Sequence, residues 1–363
     1  MSLSPLARLF LRQQDSLTAL KPRLWLLPPA DLPGALVQGA GSGLCFVQDD
    51  RDRASLEASG LTTRFGAFPV AGDFVAPGNA VLCLPREKAR FQMLAHALAA
   101  AMDPDRVLWV AGEIRAGAKS AIRQLKPWFG QVRKLDAARH CVLFEASLPH
   151  ATSPFSLADY DVSWTLDAFG RTLRIHSYPG VFSHGELDEG SRLLLDCLPA
   201  VLEKAAPSTA LDLGCGTGVL GAALLAACPG VALTLVDSQA LALEAARRTL
   251  SANGFSARTL PSDGLRAVDG RFDLIISNPP FHVDHRERSD LGAGLFRGAR
   301  NFLNPGGQVV IVANRHLPWP ATLDREFGRH EVLAATNRFH VLRAPAGSMK
   351  RPSSAVRMDA STT

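Results

Sequence analysis

The sequence predicts an α/β fold in two successive units, with apolar strands alternating with helices in each. Three observations predict it. In the second half, near-continuous apolar runs alternate with alanine- and leucine-rich segments of helical length, the pattern of parallel strands covered on both faces. A glycine-rich turn joins one of those strands to its helix, and the first half repeats part of the same order.

Taken in order, "TALDLGCGTGVLGAALLAACPG" is a strand, a glycine turn and a helix. "VALTLVDSQALALEAARRTLSANG" is a strand with an acidic end, a helix and a C-capping glycine. "RFDLIISNPPFH" is a third strand, and "LGAGLFRGARNFLNPGGQVVIVAN" a helix, an "NPGG" turn and a fourth strand. In the first half, "NAVLCLPREKARFQMLAHALAAAMDPDRVLWVAGEIRAGAKSAIRQL" follows the order of the later copy, with "LCLPREK" where that copy has "IISNPPFH". It has no counterpart of "DLGCGTG". An internal duplication whose N-terminal copy has lost its chemistry explains this; two unrelated α/β domains are the alternative. The polar stretch "LPHATSPFSLADYD" marks the join, giving domains at 1–160 and 161–346. Residues 347–363 lack apolar periodicity and read as a flexible tail.

The chain has 363 residues, 47% hydrophobic and 20% charged, which suits a globular protein of two domains and excludes a disordered one. Lys and Arg outnumber Asp and Glu by 39 to 34, an excess compatible with a nucleic-acid partner without requiring one. The cysteines Cys45, Cys83, Cys141, Cys197, Cys215 and Cys228 form no CxxC pair, which argues against a disulfide framework or zinc ribbon and fits a reducing cytoplasm. "MSLSPLARLFLRQQDSLTAL" has no signal-peptide core, and apolar windows such as "MLAHALAAAM" are too short to span a bilayer, so no membrane partner is expected.

The glycine turn places Gly214, Gly216 and Gly218 between strand and helix. Glycines tolerate positive φ and let a ligand approach the backbone. Gly216, Gly218 and Gly221 also satisfy a dinucleotide fingerprint, and Asp237 follows at the end of the next strand, where a carboxylate can accept from ribose hydroxyls. Asp212 tilts the choice of cofactor: a carboxylate beside the turn repels a pyrophosphate and suits the amino group and sulfonium of S-adenosylmethionine, with a nicotinamide or flavin as the alternative. Asp212 also has a purely local reading, tying the turn's own amides. Asp263, in "LPSDG", is placed to accept from an adenine amino group or is an exposed turn residue.

Ligands of such sheets bind beyond the carboxyl ends of the strands, and "SNPPF" sits at such an end. Proline keeps Asn278 extended, while Pro279 and Pro280 offer carbonyls without N–H donors. The loop is stiff and rich in acceptors, and Phe281 can stack on a flat ring. This suits methyl transfer to a planar nitrogen. The Asn278 side chain and Pro279 carbonyl orient the amino N–H bonds and favour a localised lone pair. The motif alone does not distinguish a base amino group from a protein amide. His282 and His285 are spaced as a metal pair, but no other ligand cluster accompanies them, and no metal is expected.

"YPGVFSHGELDEGSRLLLDCLP", "LDLGCGTGVLG", "GRFDLIISNPPFHVD" and "GGQVVIVANRHLPWP", in this order behind a degenerate first unit, resemble the bacterial ribosomal RNA small subunit methyltransferase C family. The resemblance is dense in the C-terminal half; in the N-terminal half it rests mainly on "LPREKARFQMLAHAL", "VLWVAGEIRAGAKSAIRQL" and "DAARHCVLFEA". It implies two tandem Rossmann-like methyltransferase-type domains, the first an RNA-binding and folding aid, and methylation of a guanine N2 amino group in 16S rRNA. The related large-subunit guanine-N2 enzymes share these motifs. By position, Asn278, Pro279, Pro280 and Phe281 would form the guanine site. Asp212, Gly214, Gly216, Gly218 and Asp237 would hold the methyl donor, with Phe182 and Ser183 closing over it and Asp188 and Ser191 capping the next helix. The implied partner is 16S rRNA within the small subunit, met by a monomer, with Lys119, Arg123, Lys126, Arg133 and Lys134 as candidate phosphate contacts.

Overall fold

The structure, a computed structural model, describes residues 3–70, 72, 78–150, 154–204, 206–279, 296 and 298–346. Pro280, Phe281, His282, His285 and the stretch 347–363 lie outside these residues.

The first sheet contains β1 (Pro22–Leu26), β2 (Leu44–Val47), β3 (Thr63–Phe65), β4 (Asn79–Cys83), β5 (Leu108–Glu113), β6 (Phe129–Ala138) and β7 (Cys141–Pro149), in the order β3-β2-β1-β4-β5-β7-β6. A hairpin follows, β8 (Val162–Ala168) and β9 (Arg171–Ser177). The second sheet contains β10 (Thr209–Leu213), β11 (Ala232–Asp237), β12 (Arg258–Pro261), β13 (Phe272–Ser277), β14 (Leu303–Asn314), β15 (Glu331–Ala335) and β16 (Phe339–Pro345), in the order β12-β11-β10-β13-β14-β16-β15. The two orders are the same. In both sheets the first five strands are parallel and the last two antiparallel.

This match supports the duplication. It also extends the N-terminal copy beyond the sequence pattern, which found β4 and β5 but not β1, β2 and β3. Those strands have 5, 4 and 3 residues, too short for a periodicity to stand out.

Alternate residues of each buried strand feed opposite faces. In the second sheet, Ala210, Leu274, Ile276, Val310 and Val312 pack into one core, and Leu211, Ile275, Val309 and Ile311 into the other. The hairpin closes over the helix Ala240–Ala252: Asn253 exchanges hydrogen bonds with the Arg174 backbone at 2.9 and 2.7 Å, and the Thr249 hydroxyl accepts from the His176 amide at 3.0 Å. The two sheets are joined by a shared core, in which Tyr178, Val181, Leu241, Ala242 and Ala245 pack with first-sheet residues such as Leu26, Phe46 and Leu82. Among the described residues no helix is long and apolar enough to cross a membrane.

Candidate active site at the strand ends

β10 runs straight into the glycine turn. Gly214, Gly216 and Gly218 have φ of +74°, +53° and +75°, conformations that side-chain-bearing residues adopt only under strain. The amides of Gly214 and Cys215 both donate to the Val236 carbonyl, at 2.8 and 2.9 Å, which fastens the turn to the neighbouring strand. The three glycines differ in their surroundings. A Cβ on Gly214 or Gly216 would meet nothing within 4 Å, so both border open space. A Cβ on Gly218 would lie 3.0 Å from Ala246, so Gly218 also serves the packing of helix on helix.

Asp212 is fully buried, and its Oδ2 accepts from the Gly221 amide at 2.9 Å. A Cβ on Gly221 would come within 3.1 Å of that oxygen, which explains the glycine one helical turn into Val219–Ala227. The local reading of Asp212 therefore holds for one oxygen. The other, Oδ1, is buried without a partner among the described residues. Burial, opposed by the Gly221 hydrogen bond and reinforced by nearby Asp237, pushes the Asp212 carboxyl up to about 7. Asp237 sits at the end of β11, accepting from the Gly216 amide at 3.0 Å and the Gln239 amide at 2.9 Å. Burial raises its pKa despite those two bonds.

Asn278 stands just past β13. Its Nδ2 donates to Asp188 Oδ1 at 3.0 Å and to Ser191 Oγ at 2.9 Å. A carboxylate oxygen only accepts, so Asp188 fixes which end of the amide is nitrogen. The Asn278 Oδ1 is left buried with no partner among the described residues. A buried carbonyl without a donor costs about 1–3 kcal/mol, so its persistence marks a place prepared for a donor. Behind it, the Ser277 hydroxyl donates to the Leu213 carbonyl at 2.6 Å, pinning the end of β13 to the end of β10. The asparagine and the glycine turn are thereby held in one layer.

Asp188 does cap the helix Glu189–Lys204, accepting from the Ser191 amide at 3.0 Å. Its hold on Asn278 was not legible in the sequence, since the two are 90 positions apart. Gly190 leaves room for this contact: a Cβ there would meet Asp188 Oδ1 at 3.1 Å and Asn278 Nδ2 at 3.6 Å. Phe182 is half-exposed and Ser183 has φ +56°, between the buried anchors Tyr178 and Val181 and the turn at Gly185. Asp263 is exposed in the turn after β12. Lys119, Arg123, Lys126, Arg133 and Lys134 are all exposed, and Arg133 is engaged by Glu145 at 2.7 Å. No group of three or more potential metal ligands occurs among the described residues.

Two family models match: "Methyltransferase small domain N-terminal" over residues 7–163 and "Methyltransferase small domain" over 172–343. The ribosomal RNA small subunit methyltransferase C of Klebsiella pneumoniae is 40% identical over 287 residues, covering 78% of this chain and 80% of that protein. Its Shewanella pealeana counterpart is 39% identical over 285 residues, covering 78% and 81%. The chain belongs to the ribosomal RNA small subunit methyltransferase C family. A solved structure agrees across both domains: the T. thermophilus 16S rRNA N2 G1207 methyltransferase, in complex with AdoMet and guanosine, superposes with a TM-score of 0.80 at 26% identity, covering 94% of this chain and 92% of that one. The fold of this methyltransferase C family member is therefore two tandem Rossmann-like methyltransferase-type domains. Its own atoms suit S-adenosylmethionine: open space over Gly214 and Gly216, a buried carboxylate oxygen on Asp212 without a partner among the described residues, and the Asp237 carboxylate at the strand end.

Proposed function

We propose that this chain is an S-adenosylmethionine-dependent methyltransferase that modifies the exocyclic N2 amino group of a guanine in 16S rRNA. The observation that carries the reading is Asn278: its amide nitrogen is clamped by Asp188 and Ser191 while its carbonyl oxygen is buried, with no partner among the described residues, at the strand end beside the glycine turn. An oxygen so held needs a donor, and an aromatic amino group is one. The likeness across both domains to the T. thermophilus 16S rRNA N2 G1207 methyltransferase, solved with guanosine, supports the guanine of 16S rRNA over another base or a protein amide.

The bound cofactor supplies a methyl group already activated on a sulfonium. The chain's part is placement. Asn278 Oδ1 and the Pro279 carbonyl accept from the amino group, turning its lone pair out of the ring's conjugation, and Phe281 supplies a stacking face. Such positioning accounts for a large share of the rate where no covalent enzyme intermediate is formed. The nitrogen gains a bond to the methyl carbon as the carbon–sulfur bond breaks and its electron pair returns to sulfur as a neutral thioether; the nitrogen then sheds a proton that is acidic enough to need no strong base. Asp212, Gly214, Gly216, Gly218, Asp237 and Asp263 hold the cofactor, with Phe182 and Ser183 over it. We take 161–346 as the catalytic domain and 1–160 as a first domain that bears on RNA, with 347–363 as a tail. The protein works as a monomer in the cytoplasm, without metal, on rRNA in the small subunit; the target base must be unstacked or already accessible.

Radiolabelled methyl transfer to 16S rRNA, naked and in the small subunit, followed by nucleoside digestion, tests the reading. Labelled N2-methylguanosine is the expected product. Label in adenine or in protein, or no label in 16S rRNA in either form, overturns it.

A further inference from the structure

The carboxylate assigned to ribose lies in the second domain, yet the segment that follows it is gripped by the first. β2 leads into Gln48, Asp49, Asp50 and Arg51, and these residues meet Ser238, Gln239 and Ala240, just beyond Asp237. The Asp50 amide donates to the Ser238 carbonyl at 2.9 Å, and the Ala240 amide donates to the Gln48 carbonyl at 2.8 Å. This makes an antiparallel bridge between Asp49 and Gln239. The pairing is self-complementary, because the two segments occupy the same place in the two copies of the fold, each directly after its second strand.

Side chains tighten the bridge. Gln239 Nε2 donates to Asp49 Oδ2, while the Gln239 amide donates to Asp237 Oδ1 at 2.9 Å. One residue thus ties a carboxylate of the first domain to the ribose carboxylate of the second. Asp49 is only 9% exposed and also accepts from the Arg51 amide and Nε, each at 3.0 Å. The hydrogen bond to Asp49, against desolvation, holds the Arg51 guanidinium above its usual pKa, and Asp263 adds to the effect from across the domain boundary. Arg51 is held by Asp49 and is near enough to Asp237 and Asp263 to interact with both through space. Leu241, Ala242 and Ala245 on the following helix pack into the first domain's core, so the bridge has a rigid base.

We infer that the first domain is a wall of the cofactor site: the hook Gln48–Arg51 fixes Asp237 for the ribose, with Asp49 and Gln239 as positioning residues. The inference rests on the cofactor placement above. It gives the degenerate domain a role in holding the methyl donor that needs no cofactor of its own.

The test is calorimetric binding of S-adenosylhomocysteine to the full chain, with hydrogen exchange as a second readout. Asp49→Ala and Gln239→Ala are each expected to weaken binding about tenfold, the worth of one hydrogen bond to a charged group. The double variant should be no weaker than either single one, because both act through one contact. Asp49→Asn, which keeps an acceptor, should recover most of the affinity, and rRNA KM should stay within about twofold across the set, since none of these residues touches the base. Ligand binding should slow exchange of the Asp50 and Ala240 amides. If Asp49→Ala and Gln239→Ala lower the melting temperature but leave affinity and exchange unmoved while Asp237→Ala weakens binding, the hook is structural only and the inference falls. If Asp237→Ala also leaves affinity unmoved, the cofactor placement itself falls, and the inference with it.

Discussion

The two domains share a strand order and differ at the strand ends. The registers pair Leu26 with Phe46 in the first sheet and Leu213 with Val236 in the second, so the copies align residue by residue. By that alignment Trp25 stands for Asp212, Leu27 for Gly214, Val47 for Asp237 and Cys83 for Asn278. At these four positions a polar residue or glycine of the site has become apolar, and Trp25, Val47 and Cys83 are buried. Leu27 even keeps the left-handed backbone, at φ +51°, and donates to the Phe46 carbonyl at 2.9 Å as Gly214 does to Val236 at 2.8 Å. A leucine in that conformation costs about 1–2 kcal/mol, a residue of the turn's earlier shape. The difference teaches that the sheet is a frame indifferent to its chemistry. Function resides in a few residues past the strand ends, and replacing them leaves the frame standing.

Breaking the site in the second domain should have the largest effect. Asn278→Ala removes the unpartnered acceptor, and kcat should fall by about two orders of magnitude with cofactor affinity unchanged; retention of full activity in single-turnover assays would remove Asn278 from its role. Asp188→Ala frees the Asn278 amide to rotate and removes a helix cap. About a tenfold loss in kcat and about 1 kcal/mol of stability are expected, read by single-turnover kinetics and urea melts.

Asp212 gives a pH dependence. Its folded pKa is raised to about 7, above the 3.8 of the free group, so the folded chain binds more protons than the unfolded chain between those values. Stability of the unliganded protein therefore falls as pH rises through that window, and levels off above it. A cationic amino group at Oδ1 relieves the cost, so cofactor affinity should rise roughly tenfold between about pH 5.5 and 7.5. Asp212→Asn should flatten the profile in calorimetric titrations.

The smallest change in activity is expected from the first domain's strand end. Cys83→Asn restores the residue type of Asn278 without its clamp or its glycine turn. Methyl transfer should be unaltered, while burying an amide at a site only 4% exposed should destabilise by about 1–3 kcal/mol in denaturant melts. Any gain of cofactor binding in this variant would show that the degenerate end is closer to a working site than its apolar lining implies.

The candidate site could be proposed from the sequence because its cues are local. The glycine turn, the acid after β11 and the asparagine before the prolines each follow a strand, and strand ends of a parallel sheet share one edge. The short strands β1, β2 and β3 were missed for want of periodicity, and the first domain's true extent with them.

The sequence by itself determined the fold class, the doubled plan and the cofactor chemistry, and it led to the proposal of a planar nitrogen as acceptor, because backbone conformation and residue chemistry act over a few neighbouring positions. Only the tertiary structure decided that Asp188 orients Asn278, that one oxygen of Asp212 serves the Gly221 amide, and that Gln48 to Arg51 grip the segment after Asp237. These contacts join residues 90 and 190 positions apart or two faces of one carboxylate. Such pairings depend on how strands and helices pack in space, which no local pattern of residues encodes.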